Sequence, residues 1–206
     1  MNRLIVLSGV PGSGKSYFSS ALKKEKSGNV YVISSDQLRL ELLGNQQDLS
    51  QETRIWAAFY SLAEEYSKIK DAIVVLDATN AKKMYRLDNI RKYKDKYDEI
   101  DLVCFQLEKD LVLKQNRERE NPIPEDALIR LISEFELPGK EEKEFYNHID
   151  VIKTHHIKQI IRRYERDVAQ LGSALPWGGR GRQFKSDRSD QLKINETKSR
   201  FLFKSN

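Results

Sequence analysis

The chain has 206 residues, 39% of them hydrophobic and 33% charged. That length suits one domain or one domain with an appendage, and the apolar share supports a buried core under a polar surface, which excludes global disorder. The net charge of +5 belongs to one end: residues 151–206 hold 13 Lys/Arg against 5 Asp/Glu, whereas residues 1–150 hold 23 against 26, so the body carries no overall bias toward nucleic acid.

Residues 3–8 (RLIVLS) form an apolar run that passes into glycine and read as a buried parallel strand. The run is too short for a signal peptide, and structured sequence follows it. A helix is expected over 15–25 and a second strand over 30–34. Residues 36–43 read as a short helix capped by Ser35 or Asp36. The clearest helix spans 51–70, with Ile55, Phe59, Leu62, Tyr66 and Ile69 on one stripe. Residues 72–76 (AIVVL) make a third strand stopped by Asp77, and 81–97 have helical spacing. A fourth strand is expected over 100–107, helices over 110–119 and 125–136 with Pro122 and Pro124 between them, and a short fifth strand at 151–152.

Apolar strands alternating with helices define an α/β layered fold with a mainly parallel sheet. Around Leu171 the composition changes, and 172–190 is rich in Gly, Arg and Ser without periodicity. The expected division is a domain over 1–155, a C-terminal helix over 156–171 and a basic, disordered tail over 172–206. No stretch approaches 18 apolar residues, so no membrane span is expected. Cys104 is the sole cysteine. It excludes an internal disulfide framework, makes a reducing cytoplasmic compartment the expectation, and reads as a small buried hydrophobe. His148, His155 and His156 lack a metal-ligand pattern.

Gly9-Val10-Pro11-Gly12-Ser13-Gly14-Lys15-Ser16 matches G-x-x-x-x-G-K-[ST] in full, between a predicted strand and a predicted helix. Such a loop wraps phosphate with backbone N–H groups, and the helix N-terminus adds positive potential. Lys15 is placed to reach the β- and γ-phosphates of ATP, and Ser16 to bind Mg²⁺. Asp36 lies just past the second strand, where open α/β sheets bind ligands. There it can act as a general base on an acceptor hydroxyl, or merely as a helix cap. Arg39, three residues on, shares its face and can hold an anionic group of the acceptor, or stand as a solvated helix residue. Asp77 at the end of the third strand resembles a Walker B carboxylate for Mg²⁺, with Thr79 and Asn80 as donors to nucleotide or acceptor; a simple strand-end cap is the alternative. Arg117 and Arg119 close a helix, as members of surface ion pairs or as an internal arginine finger. Trp56, Phe59 and Tyr60 read as helix-packing residues.

Taken together and in order, GVPGSGKS, ISSDQLR, VVLDATN and QNRERENPIPEDALIRLISEFELP resemble the P-loop 5′-hydroxyl polynucleotide kinases, most of all the kinase modules of phage and bacterial RNA-repair enzymes. The resemblance covers about residues 1–150. The DATN and R-x-R-x-x-P-[IV]-P-E motifs are its selective part, and they occur also in zeta-toxin-like and seryl-tRNA kinases. It implies a three-layer P-loop kinase fold that uses ATP and Mg²⁺. It implies Asp36 as the base toward a nucleic-acid 5′-hydroxyl, Arg39 on the acceptor's phosphate and Arg119 as the lid arginine on the ATP phosphates. With no stretch after 150 suited to a phosphatase or ligase domain, kinase activity alone is expected. The alternatives are a small-molecule or sugar-nucleotide kinase, and a nucleotide-gated binding protein. Residues 168–182 resemble the peptide read from a bacterial tRNA gene in an unintended frame, so the tail is an accidental extension or an RNA-binding arm.

Overall fold

The alternation of apolar runs and amphipathic stretches becomes a parallel sheet with helical crossovers in the computed structural model, which describes residues 1–25, 29–153 and 159–164. The elements are β1 (Arg3–Ser8), α1 (Lys15–Glu25), β2 (Val30–Ser34), α2 (Ser35–Leu43), α3 (Glu52–Tyr66), β3 (Ile73–Asp77), α4 (Lys83–Tyr93), β4 (Glu99–Phe105), α5 (Lys109–Arg117), α6 (Glu125–Ser133), a 3₁₀ segment (Lys140–Phe145) and β5 (His148–Ile152). All neighbouring strands pair in parallel, in the order β2-β3-β1-β4-β5. Residues 159–164 are helical. The expected boundary at 155/156, the greater part of the expected helix over 156–171, and the tail over 172–206 lie outside the described residues, as do His155 and His156.

Side chains alternate across a strand. Leu4 and Val6 of β1 therefore enter one core with Ile55, Phe59 and Leu62 of α3, while Ile5 and Leu7 enter another with Phe18 and Leu22 of α1. All six residues of β1 are buried, which is why its central four, LIVL, are continuously apolar instead of alternating. A third, smaller core of Val10, Val112, Leu113 and Leu128 joins the phosphate loop to α5 and α6. Cys104 is fully buried in β4, and burial pushes its thiol up to about 11.

Several boundaries differ from the sequence expectation. The cap of α2 is Ser34, not Ser35 or Asp36: its Oγ accepts the Gln37 N–H at 3.3 Å. α3 stops at Tyr66, because Lys68 and Ile69 bond back three residues, to Glu65 O and Tyr66 O at 3.1 Å each, in a tighter turn. Ile69 still packs on the core, but from that turn. α5 ends at Arg117 and leaves Arg119 beyond the helix. β5 runs over five residues, not two, since as an edge strand it tolerates the polar positions of HIDVI.

The described residues include one ion pair with both side chains fully buried. Arg86 of α4 donates Nε to Glu142 Oε2 at 2.9 Å and Nη2 to Oε1 at 2.7 Å, while its Nη1 donates to Glu136 O at 2.8 Å and Ala81 O at 3.2 Å. It thereby ties the chain returning from α6 to the loop after β3. Removing one member of such a pair strands the other charge in the core. Arg86→Met is expected to lose about 3–5 kcal/mol in urea unfolding, much of it regained in the double variant Arg86→Met, Glu142→Leu. A single variant as stable as the parent would show that the pair contributes nothing.

Candidate active site

The C-terminal ends of β1, β2 and β3 open toward one cavity of about 870 Å³. β1 delivers the phosphate loop, β2 delivers Asp36 and Arg39 through α2, and β3 delivers Asp77 and Thr79. This is the edge at which doubly wound sheets bind ligands.

The loop leaves β1 at Ser8 and enters α1 at Lys15. Gly12 and Gly14 have φ of 79° and 95°, in the left-handed region that a side chain disfavours. A Cβ on Gly12 would also lie 3.2 Å from Val112 O of α5, so the loop packs against that helix. Gly9 and Val10 stand behind the loop's lining rather than in it. Their carbonyls accept hydrogen bonds from Lys15 Nζ at 2.8 and 3.0 Å. The Gly9 N–H donates to Thr79 O at 2.9 Å, which fastens the loop to the end of β3.

Burial pushes the Lys15 ammonium below its ordinary value, and the positive charge of Arg119 adds to this, while Asp77 and Asp36 oppose it. Burial likewise raises the Asp77 carboxyl, against the pull of Lys15 and of hydrogen bonds from Ser16 and Ser19. The Ser19 hydroxyl donates to Asp77 Oδ2 at 3.4 Å. A lysine and a carboxylate, each poorly solvated and facing the same space, are suited to an anion and a cation respectively. Two buried polar atoms of the cavity wall, Ser13 Oγ and Gln115 Oε1, have no hydrogen-bond partner within the protein, as befits a site that takes a polar ligand.

Asp36 lies on the same cavity with its side chain 56% exposed, and accepts Arg39 Nη1 at 2.9 Å. Arg39 is itself buried and forked onto Glu52: Nε donates to Oε1 at 2.7 Å and Nη2 to Oε2 at 2.9 Å. Trp56 Nε1 donates to the same Glu52 Oε2 at 3.0 Å. Trp56 therefore does more than pack, and Glu52 completes a chain of contacts that ends on Asp36. Sequence reasoning missed Glu52. Its only signal is position, as the acidic first turn of α3.

The two arginines at the end of α5 separate. Arg117 pairs on the surface at 2.9 Å, but with Glu125 eight residues on and not with a neighbour three or four positions away. Arg119 lines the cavity near enough to act on Lys15. Asn116, also unforeseen, folds the segment back: its Nδ2 donates to Ile123 O at 2.8 Å and its Oδ1 accepts the Ile123 N–H at 3.0 Å. Thr79 lines the cavity. Asn80 does not reach it. Its Nδ2 donates to Leu7 O at 2.8 Å and its Oδ1 accepts from Asn89 Nδ2 at 3.2 Å, so its side chain ties β1 to α4. The carboxylate at the end of β3 with Ser16 fits Mg²⁺ when phosphate oxygens supply further ligands. Among the described residues no cluster of three or more His, Cys, Asp or Glu is placed to hold a metal unaided, and no helix is long and apolar enough to cross a membrane.

Sheet order, phosphate loop and a strand-end carboxylate together define a P-loop nucleotide-binding protein of the kinase fold. The model of a family described as an AAA domain matches residues 4–138, and the chain belongs to that family. Protein kti12 of Schizosaccharomyces pombe is 27% identical over 66% of this chain and 52% of its own length. The L-seryl-tRNA(Sec) kinase of Methanococcus maripaludis is 27% identical over 66% of this chain and 53% of its own. The chain thus spans about half the length of the curated relatives it matches. A chain in the structure of the Pnkp1/Rnl/Hen1 RNA repair complex superposes with a TM-score of 0.56 at 25% identity, over 65% of this chain and 43% of that one. These likenesses place the chain among P-loop proteins of the kinase fold.

Proposed function

We propose that the protein transfers the γ-phosphoryl group of ATP to a hydroxyl, with the 5′-hydroxyl end of a polynucleotide as acceptor. The observation that carries this reading is the exposed carboxylate of Asp36 on the same cavity as the phosphate loop. Nucleotide binding alone has no use for a base there. The polynucleotide acceptor draws on the sequence motifs and on the 25% identity to the RNA repair complex.

In this mechanism the backbone N–H groups of residues 12–16, which line the cavity, hold the β-phosphate, and Lys15 spans the β- and γ-phosphates. Asp36 takes the proton of the acceptor hydroxyl as its oxygen bonds to the γ-phosphorus. The bond from that phosphorus to the bridging oxygen breaks, and ADP leaves with the charge. Arg119 faces the charge that shifts onto the departing oxygens. Arg39, fixed by Glu52, sets the direction of the Asp36 carboxylate, and Thr79 borders the nucleotide or acceptor. Ser16 and Asp77 would hold Mg²⁺, which when bound neutralises phosphate charge.

The test offers radiolabelled ATP together with 5′-hydroxyl RNA and DNA oligonucleotides, nucleosides, sugars and sugar nucleotides. Label is expected at oligonucleotide 5′ ends. Label on a sugar or sugar nucleotide alone would establish the small-molecule alternative, and ATP binding with no labelled product would establish the nucleotide-gated one.

A further inference from the structure

The loop between α2 and α3 is built, not slack. It leaves α2 at Gly44, whose φ is 77° and whose N–H donates to Leu40 O at 3.0 Å. It then turns twice on its own side chains: Asn45 Oδ1 accepts the Gln47 N–H at 2.9 Å, and Asp48 Oδ1 accepts the Ser50 N–H at 2.8 Å. Gln47 Nε2 also donates to Pro122 O at 3.4 Å, across to the segment that carries Arg119. This construction holds Gln46, Gln47 and Leu49 on the wall of the cavity. The loop continues from α2, whose first turn carries Asp36, and forms one side of the cavity that Asp36 also lines.

Two observations describe what that side is made for. Leu49 is 66% exposed, more than any other large hydrophobic residue among those described, and it lines a cavity instead of a core. The side also carries no unpaired cation among the described lining residues. Lys15 and Arg119 belong to the phosphate end, and Arg39 is forked onto Glu52 and bonded to Asp36. A purely anionic or polyhydroxylated acceptor gains little from an apolar side chain and two neutral amides. A planar ring with hydrogen-bonding edges gains from both.

We infer that Leu49, with the amides of Gln46 and Gln47, forms the subsite for the nucleobase of the acceptor's terminal residue. The inference rests on the proposed polynucleotide acceptor and adds to it. The enzyme would select a base-bearing 5′-hydroxyl end, with Leu49 against the base's face and the amides at its edge.

The test compares two short oligonucleotides with the same 5′-hydroxyl, one carrying a base on the terminal ribose and one abasic there. For the full chain, KM for the base-bearing substrate is expected to be roughly tenfold lower. Leu49→Ala should collapse most of that difference, and Leu49→Met, which keeps the apolar volume, should preserve it. An exposed side chain contributes little to folding, so loss of structure does not confound the variants. Equal KM values in the parent, or a difference that survives Leu49→Ala, would overturn the subsite and leave the polynucleotide reading standing. Absence of transfer to both oligonucleotides would overturn both readings.

Discussion

Asp36→Asn is expected to lower kcat by roughly 10²–10⁴ with little change in the KM for ATP. The amide keeps the shape of the side chain, and its oxygen can still accept Arg39 Nη1, now at 2.9 Å. It cannot take a proton from the acceptor hydroxyl. The phosphate loop, Lys15 and Asp77 keep their own contacts. The loss should therefore fall on the chemical step, read by steady-state kinetics with labelled ATP and checked by thermal unfolding. Because the α2 cap is Ser34, the variant leaves the helix terminus intact. Near-normal turnover would reduce Asp36 to a partner of Arg39.

Glu52 gives the same region a second dependence. A carboxylate bonded to a lone arginine is free to swing with it. Here two hydrogen bonds from Arg39 and one from Trp56 converge on Glu52, so the guanidinium has one orientation to offer Asp36. Preorganised directions of this kind make a base effective at the moment of reaction.

What the sequence discloses follows from how local each feature is. The strands were legible because both faces of this sheet are covered, so the runs 4–7 (LIVL) and 73–76 (IVVL) within β1 and β3 are apolar throughout. The phosphate loop was legible because its glycines answer to backbone geometry, visible at Gly12 and Gly14. Edge and turn features were less so. HIDVI alternates polar and apolar residues and was read as two strand residues instead of five. The 3₁₀ segment KEEKEF has the composition of a solvated surface, yet its Glu142 is completely buried on Arg86. A charge that finds its partner 56 residues away leaves no local pattern. Glu52 and Asn116 were missed for the same reason. Glu52 meets Arg39 only once α2 and α3 have docked, and Asn116 bonds the backbone of Ile123 only once the chain after α5 has folded back. Arg117 and Arg119 could not be told apart by spacing, since the end of α5 decides which one faces the cavity.

That distinction carries the other large effect. Arg119→Ala is expected to lower kcat by about 10³ or more, as for other arginines that meet the transferring phosphoryl group. The residue is separated from the loop by more than 100 positions, yet its charge is felt by Lys15. Two positive groups held close together in a poorly solvated site repel each other. An arriving polyphosphate relieves that repulsion, and the relief grows as negative charge moves onto the departing oxygens. The effect should therefore appear in kcat more than in ATP affinity. Arg117→Ala supplies the comparison, since it removes an equal charge two residues away from a surface pair with Glu125. Surface pairs of that kind are worth about 0–1 kcal/mol, so its kinetics should stay near those of the parent. If both variants lost activity equally, or if Arg119→Ala lowered only the unfolding temperature, Arg119 would be a charged residue of the turn after α5 and the lid role would fall.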